Sequence, residues 1–211
     1  MTTAPLALLD WTANQMDDHA AGIMRVLVLC EQSGTVRDAF IAAGHDAVSC
    51  DINPTRSPGP HIQRDALELL AEMKAGDWDL IVAFPPCTHL AASGARWWPA
   101  KRADGRQAAA VRFVEAIAAA PCPRIAIENP VGYLSSAWRK PDQYVQPWMF
   151  GHGYTKRTGL WLKGIPLLEA TDTVPGRADT IHKTPGGAKQ AYRRSITPAG
   201  LAAAMADQWS R

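Results

Sequence analysis

An α/β fold, with a mostly parallel β-sheet covered by helices on both faces, is predicted by three observations. Short, nearly continuous apolar runs recur as far as residue 130, the pattern of strands buried on both sides. Amphipathic stretches alternate with them, giving the strand, helix, strand, helix order that joins parallel strands. Polar and reactive residues stand where the apolar runs stop, and ligands of such sheets bind beyond the strand ends.

"RVLVLC" (25–30) is the first strand, and "VRDAFIAAG" (36–44) is a helix closed by Gly44. "DAVSCD" (46–51) is a second strand ending in an acid, "ALELLAEMKAG" (66–76) a helix, and "WDLIVAF" (78–84) a third strand. "GRQAAAVRFVEAIAAA" (105–120) has an apolar face and helix-favouring alanines. "PRIAIENP" (123–130) is a strand stopped by Pro130. Beyond residue 140 turns become frequent. "RTGLWLKG" (157–164) reads as a strand pairing with "PLLEA" (166–170), and residues 171–190 as a loop bearing Gly176, Gly186 and Gly187. "TPAGLAAAMADQW" (197–209) reads as an amphipathic helix with Thr197 as its cap and Pro198 at its first position.

At 211 residues the chain has the length of one domain. Residues 24–211 are expected to form that domain, and residues 1–23, with "PLALLDW", a lead-in without chemistry. The net charge of +2 excludes a polycationic nucleic-acid binder, so phosphate contacts must come from local clusters such as Lys101, Arg102 and Arg106, or Lys189, Arg193 and Arg194. Four widely spaced cysteines form no zinc-like pattern. No run of 18 apolar residues and no signal-like segment is present, so a cytoplasmic, reducing setting without membrane contact is expected.

The strand ends carry the candidate chemistry. Gly34, after the first strand, lets backbone approach a ligand or merely makes a tight turn. Asp51 can accept both hydroxyls of a ribose, or stand in a solvated turn. Asp65 can accept from an adenine amino group or cap the following helix. Cys87, behind two prolines, is either a buried structural thiol or a rigidly held nucleophile. Glu128 interrupts an apolar strand end and suits holding a base protonated at a ring nitrogen, with a cap or ion pair as the alternative. His89 suits pocket lining better than catalysis, and Arg157 is a donor to a carbonyl or phosphate, or a solvated strand-start charge. "ARWWPAKRADGR" interleaves aromatic and basic groups that can stack on bases and reach phosphate, with Arg96 and Trp97 foremost.

These stretches together resemble the DNA (cytosine-5) methyltransferase family over about residues 25–165 and 193–209. "FPPCTHLAASG" is similar to its Pro-Cys motif, which places the nucleophile that attacks C6 of cytosine on Cys87. "IAIENP" resembles its Glu-Asn-Val motif, with Glu128 engaging N3 and the exocyclic amine and Asn129 shaping the loop. "LVLCEQSGTVRDAFIAAG" resembles the opening cofactor motif, "TKRTGLWL" the basic motif that touches the target cytosine, and "SITPAGLAAAMADQW" the last motif. The resemblance implies a Rossmann-like S-adenosylmethionine-dependent methyltransferase fold. It also implies transfer of a methyl group from S-adenosylmethionine to C5 of a flipped cytosine in DNA, expected to be double-stranded.

With the readings above it assigns catalysis to Cys87, Glu128 and Arg157, and no metal ligand. Cofactor contact falls to Glu31, Gly34, Thr35, Asp51, Ile52, Asp65, Pro85, Ser195 and Thr197. Substrate contact falls to Pro86, Thr88, His89, Arg96, Trp97, Asn129 and Lys156. The chain departs from the family pattern at Cys30, Glu31, Gln32 and Thr35 of the opening loop, at Thr88 after the cysteine, and at Pro130 after Glu-Asn. The family's target-recognition region is replaced by a short loop or hairpin at about residues 165–194. That economy suits a phage or mobile-element enzyme with relaxed specificity, one that uses a recognition partner, or one that takes a smaller nucleotide substrate. A non-catalytic regulatory protein on the same sheet is the other class the divergent opening loop leaves open.

Overall fold

The computed structural model describes residues 22–179 and 187–211, with backbone alone at residues 188–191. Residues 1–21 of the expected lead-in, and Gly186 of the expected loop, lie outside the described residues. The strands are β1 (Arg25–Leu29), β2 (Asp46–Asp51), β3 (His61–Gln63), β4 (Leu80–Ala83), β5 (Arg124–Pro130), β6 (Gln143–Val145) and β7 (Thr158–Lys163). The helices are α1 (Thr35–Ala42), α2 (Ala66–Glu72), α3 (Trp98–Ala103), α4 (Arg106–Ala118), α5 (Leu134–Ala137), α6 (Ala188–Ser195) and α7 (Ala199–Trp209).

The strands form one seven-stranded sheet in the order β3-β2-β1-β4-β5-β7-β6. β1 pairs in parallel with both β2 and β4, and β5 continues the parallel set beside β4. β7 runs antiparallel to β5 and to β6. All five residues of β1 are buried, and they alternate between two cores, as a period of two requires. Val26 and Val28 join Phe40, Leu201, Met205 and Trp209 beneath α1 and α7. Leu27 and Leu29 join Leu69, Ile81, Val114 and Ile117 beneath α2 and α4. Helices therefore cover both faces, and the predicted α/β architecture is the observed one. The strand order reverses between β1 and β4, the switch point beyond which ligands of such sheets bind.

Several element boundaries differ from the sequence-based expectation, each for a local reason. β1 stops at Leu29, because Cys30 turns the chain with φ 59°, in the left-handed region. α2 ends at Glu72 and not near Gly76, since Met73 is already extended. "PLLEA" forms no strand; β7 pairs instead with Gln143–Val145, a segment too short to show a period. β3, equally short, also escaped the sequence pattern. Thr197 does not cap the last helix: Pro198 occupies the cap position without a side-chain cap. His152 serves there, its Nε2 accepting from the Gly200 backbone N–H at 3.1 Å. The stretch expected to be loop up to residue 190 gives way to α6 from Ala188. Among the described residues no helix is long and apolar enough to cross a membrane.

Candidate active site

A cavity of about 520 Å³ opens at the strand-order switch point, walled by residues at or just past the C-terminal ends of β1, β2, β4 and β5 and by residues of α6. Its size is that of a small-molecule site. Cys30, Glu31, Asp51, Pro85, Pro86, Cys87, Glu128, Lys156, Ser195 and Thr197 all line it. The four strand ends that bear polar residues in the sequence thus converge on one space, because parallel strands in register end together.

Cys87 begins a single 3-10 turn, Cys87–His89, just past β4. The turn is pinned from two sides. The buried Asn129 side chain donates through Nδ2 to the Pro85 carbonyl at 2.8 Å. The chain after β5 then runs alongside the Cys87 segment, with Ala92 N donating to Val131 O at 3.0 Å and Tyr133 N to Leu90 O at 2.7 Å. At this crossing Gly132 leaves no room for a side chain, since a Cβ there would collide with the Leu90 carbonyl. Lys101 Nζ also donates to Thr88 O at 2.6 Å, and Gln107 Nε2 to His89 O at 3.2 Å. Both backbone carbonyls are thereby fixed from outside the cavity.

Cys87 is exposed through the cavity mouth. Desolvation by the surrounding walls is nonetheless the main influence on its thiol and raises its pKa above the ordinary value; the Glu128 carboxylate adds to this, and the Lys156 ammonium opposes it. Cys30, Cys50 and Cys122 differ from it. Burial drives their thiols upward, Cys50 to about 11 and Cys30 further still, so they are inert neutral groups. Glu128 is half-buried and its Oε1 accepts from the Thr158 hydroxyl at 2.5 Å. That bond, from a neighbouring strand, fixes the carboxyl against the cavity wall.

On the β1 side, Glu31 lies in the wall, but its carboxylate serves the fold. It accepts from Val36 N at 2.8 Å, Arg37 N at 3.3 Å and the Ser33 hydroxyl at 3.0 Å, meeting donors that the start of α1 leaves open. Burial still raises its pKa, and these bonds oppose the shift. Gly34 has φ 77° at the cap of α1, and a Cβ there would collide with the Arg37 guanidinium. Arg37 is fully buried and binds Ser49 Oγ, Thr55 Oγ1 and the carbonyls of Ser57, Pro58 and Pro60, at 3.1–3.4 Å. It moors the 52–60 loop beside Asp51. Sequence reasoning missed it, although an arginine three residues before Phe40 falls on the apolar face of α1.

Asp51 accepts from the Asn53 backbone and side chain at 2.8 and 2.9 Å, both through Oδ1. The next residue, Ile52, is 67% exposed.

Several expected contacts are not brought to the cavity. Asp65 caps α2, accepting from Leu67 N at 2.7 Å, the alternative its sequence left open. Arg157 stacks its guanidinium 4.0 Å over the Tyr144 ring on the exterior, while its neighbour Lys156 enters the cavity wall. Thr35, Ile52, Thr88, His89 and Asn129 lie outside the wall, as do Arg96 and Trp97, where Arg96 lies 5.1 Å over an exposed Trp97. Tyr192 of α6 is a missed wall residue, and Arg194, named in the sequence only within a basic cluster for phosphate, also lines the wall.

No family model and no characterised protein sequence matches the chain. Among solved structures it is similar to the bifunctional kinase-methyltransferase WbdD, with 17% identity, a TM-score of 0.41, and coverage of 76% of this chain and 40% of that one. It is also similar to the S. pombe Dnmt2 methyltransferase, with 16% identity, a TM-score of 0.42, and coverage of 76% of this chain and 54% of that one. The chain therefore spans about half or less of each of these proteins. Its sheet order and helical layers are those of a Rossmann-like fold.

Proposed function

We propose that the protein is an S-adenosylmethionine-dependent cytosine C5 methyltransferase acting on DNA. The observation that carries this reading is the meeting of Cys87 and Glu128 in one cavity with Asp51 in a further wall. The donor set fits the cofactor. Asp51 Oδ2 would accept the ribose hydroxyls, and Ser195 and Thr197 would line the methionine portion. When bound, the cofactor supplies an electrophilic methyl group on a sulfonium centre.

The chain's own residues would perform the rest. The Cys87 thiolate adds to C6 of a cytosine turned out of its duplex, forming the S–C6 bond and placing an electron pair on C5. Glu128, held by Thr158, protonates or hydrogen-bonds N3 and accepts from the exocyclic amine, spreading that charge. C5 takes the methyl group, the C5 proton leaves to a base, and the thiolate departs as the double bond re-forms. Turning out the base costs a few kcal/mol, which cavity contacts offset.

DNA carrying 5-fluorocytosine tests this, because fluorine at C5 blocks the final elimination. Incubation with S-adenosylmethionine should give a covalent protein–DNA adduct with the wild type and none with Cys87→Ser. Tight binding of cofactor and DNA without any adduct would refute C6 attack.

One observation favours a second reading, in which the substrate is a free nucleotide. Residues 165–179 contain no helix or strand, only single bridges from Asp172 to Phe150 and from Ala178 to Tyr154. Such a segment offers little surface to read a duplex, which favours relaxed specificity, a recognition partner or a smaller substrate. Mass analysis of bases after incubation with DNA, RNA and dCMP separates these cases.

A further inference from the structure

α6 brings Tyr192, Arg194 and Ser195 into the cavity wall. Two contacts seat it there. Lys156 Nζ donates to the Arg194 carbonyl at 2.8 Å, and the Arg56 guanidinium lies 4.1 Å over the Tyr192 ring. Arg56 is itself fixed by Gln32, its Nε donating to Gln32 Oε1 at 2.8 Å. The reaction described above uses none of the Arg194 side chain. Yet Arg194 Nε is buried without a hydrogen-bond partner among the described residues. Buried guanidinium donors find acceptors in folded proteins. Arg194 also lines the cavity, so a ligand held there can bring an acceptor to its guanidinium.

We propose that Arg194, with Lys156 beside it, binds the 5′-phosphate of the target nucleotide. The inference rests on the cytosine reading of Cys87 and Glu128 and adds to it the chemical class that the cavity recognises, a nucleoside 5′-phosphate. The charge is on the reacting side of the cavity: Lys156 acts electrostatically on the Cys87 thiol and also lines the small pocket beneath Glu128. Nucleotide geometry places the anion on that same side. With the base in the usual anti orientation, the C6 edge of a pyrimidine faces the ribose 5′-oxygen, so a thiol attacking C6 stands near the 5′-phosphate. A planar guanidinium presents paired donors that match phosphate oxygens, and the ammonium of Lys156 has donors to spare after meeting one carbonyl.

The phosphate can belong to a DNA strand or to a free nucleotide, and two arms of one experiment distinguish them. In the first, random-sequence duplexes carry 5-fluorocytosine with either a phosphate or a neutral methylphosphonate at the 5′ linkage. In the second, 5-fluoro-dCMP is compared with 5-fluoro-2′-deoxycytidine. Adduct formation is timed with S-adenosylmethionine for wild type, Arg194→Lys and Arg194→Gln. In whichever arm traps, losing the phosphate charge should slow the wild type roughly tenfold or more. Arg194→Gln should be slow with both ligands and insensitive to the charge, Arg194→Lys should fall between, and affinity for S-adenosylhomocysteine should be unchanged in both variants. An undiminished phosphate effect in Arg194→Gln overturns the inference, as does a selective loss of S-adenosylhomocysteine affinity, which would assign the guanidinium to the cofactor carboxylate. No adduct with the wild type in either arm overturns the cytosine reading itself and this inference with it.

Discussion

Cys87 differs from the other three cysteines by its surroundings. Its thiol pKa is raised by desolvation and by Glu128, and lowered by Lys156. The thiolate is the reactive form, so alkylation by iodoacetamide should accelerate about tenfold per pH unit below that pKa and level off above it. Because the pKa is raised, the levelling lies above the pH of an ordinary cysteine. Lys156→Met removes the opposing ammonium and should move the curve to higher pH. Glu128→Gln removes a neighbouring negative charge and should move it lower. Opposite displacements establish that both groups act on the thiol; parallel or absent ones would show that burial alone sets it. The sequence reading gave Arg157 the catalytic role and Lys156 only a substrate contact. The two residues precede β7, and only the folded chain shows that Lys156 lines the cavity while Arg157 stacks over Tyr144.

At the scale of elements, the site depends on how two strand ends are joined. β4 and β5 are parallel neighbours, and beyond them the Cys87 segment and residues 131–133 exchange backbone hydrogen bonds across Gly132. Gly132→Ala would force a Cβ into the Leu90 carbonyl and part these segments. The expected outcome is loss of 5-fluorocytosine trapping by about 10²-fold, the order of effect that a misplacement of about 1 Å produces, with cofactor binding by calorimetry unchanged because Asp51 lies on the other strand end. Equal loss of cofactor binding would show that the substitution disturbs the whole rim. None of this coupling was legible from "FPPCTHLAASG" and "IAIENP", although each motif was. A glycine whose φ is ordinary announces nothing in a sequence; its role comes from the backbone that passes over it.

Across the whole molecule, α7 returns to the sheet and closes the core beneath α1. Trp209 is almost fully buried there and its indole N–H donates to the Pro166 carbonyl at 3.1 Å. Trp209→Ala should cost about 3–5 kcal/mol of stability in denaturant unfolding, more than a surface change could, and it should lower cofactor affinity because Ser195 and Thr197 precede the same helix. A cost under about 1 kcal/mol would mean that α7 is an appendage and not part of the core. The amino-acid sequence by itself determined the layered α/β plan, since apolar runs of strand length between amphipathic helices have few other ways to bury themselves. It also determined the strand-end positions of Cys87, Glu128 and Asp51, because polar residues at the limits of buried strands must emerge at the rim. The tertiary structure alone decided the antiparallel β7 between β5 and β6, the burial of Arg37, the capping duty of Glu31 and Asp65, and the entry of Lys156 and Arg194 into the cavity. The physical reason is range: burial periods act over neighbouring residues, whereas a guanidinium or carboxylate takes its role from groups that only folding brings near.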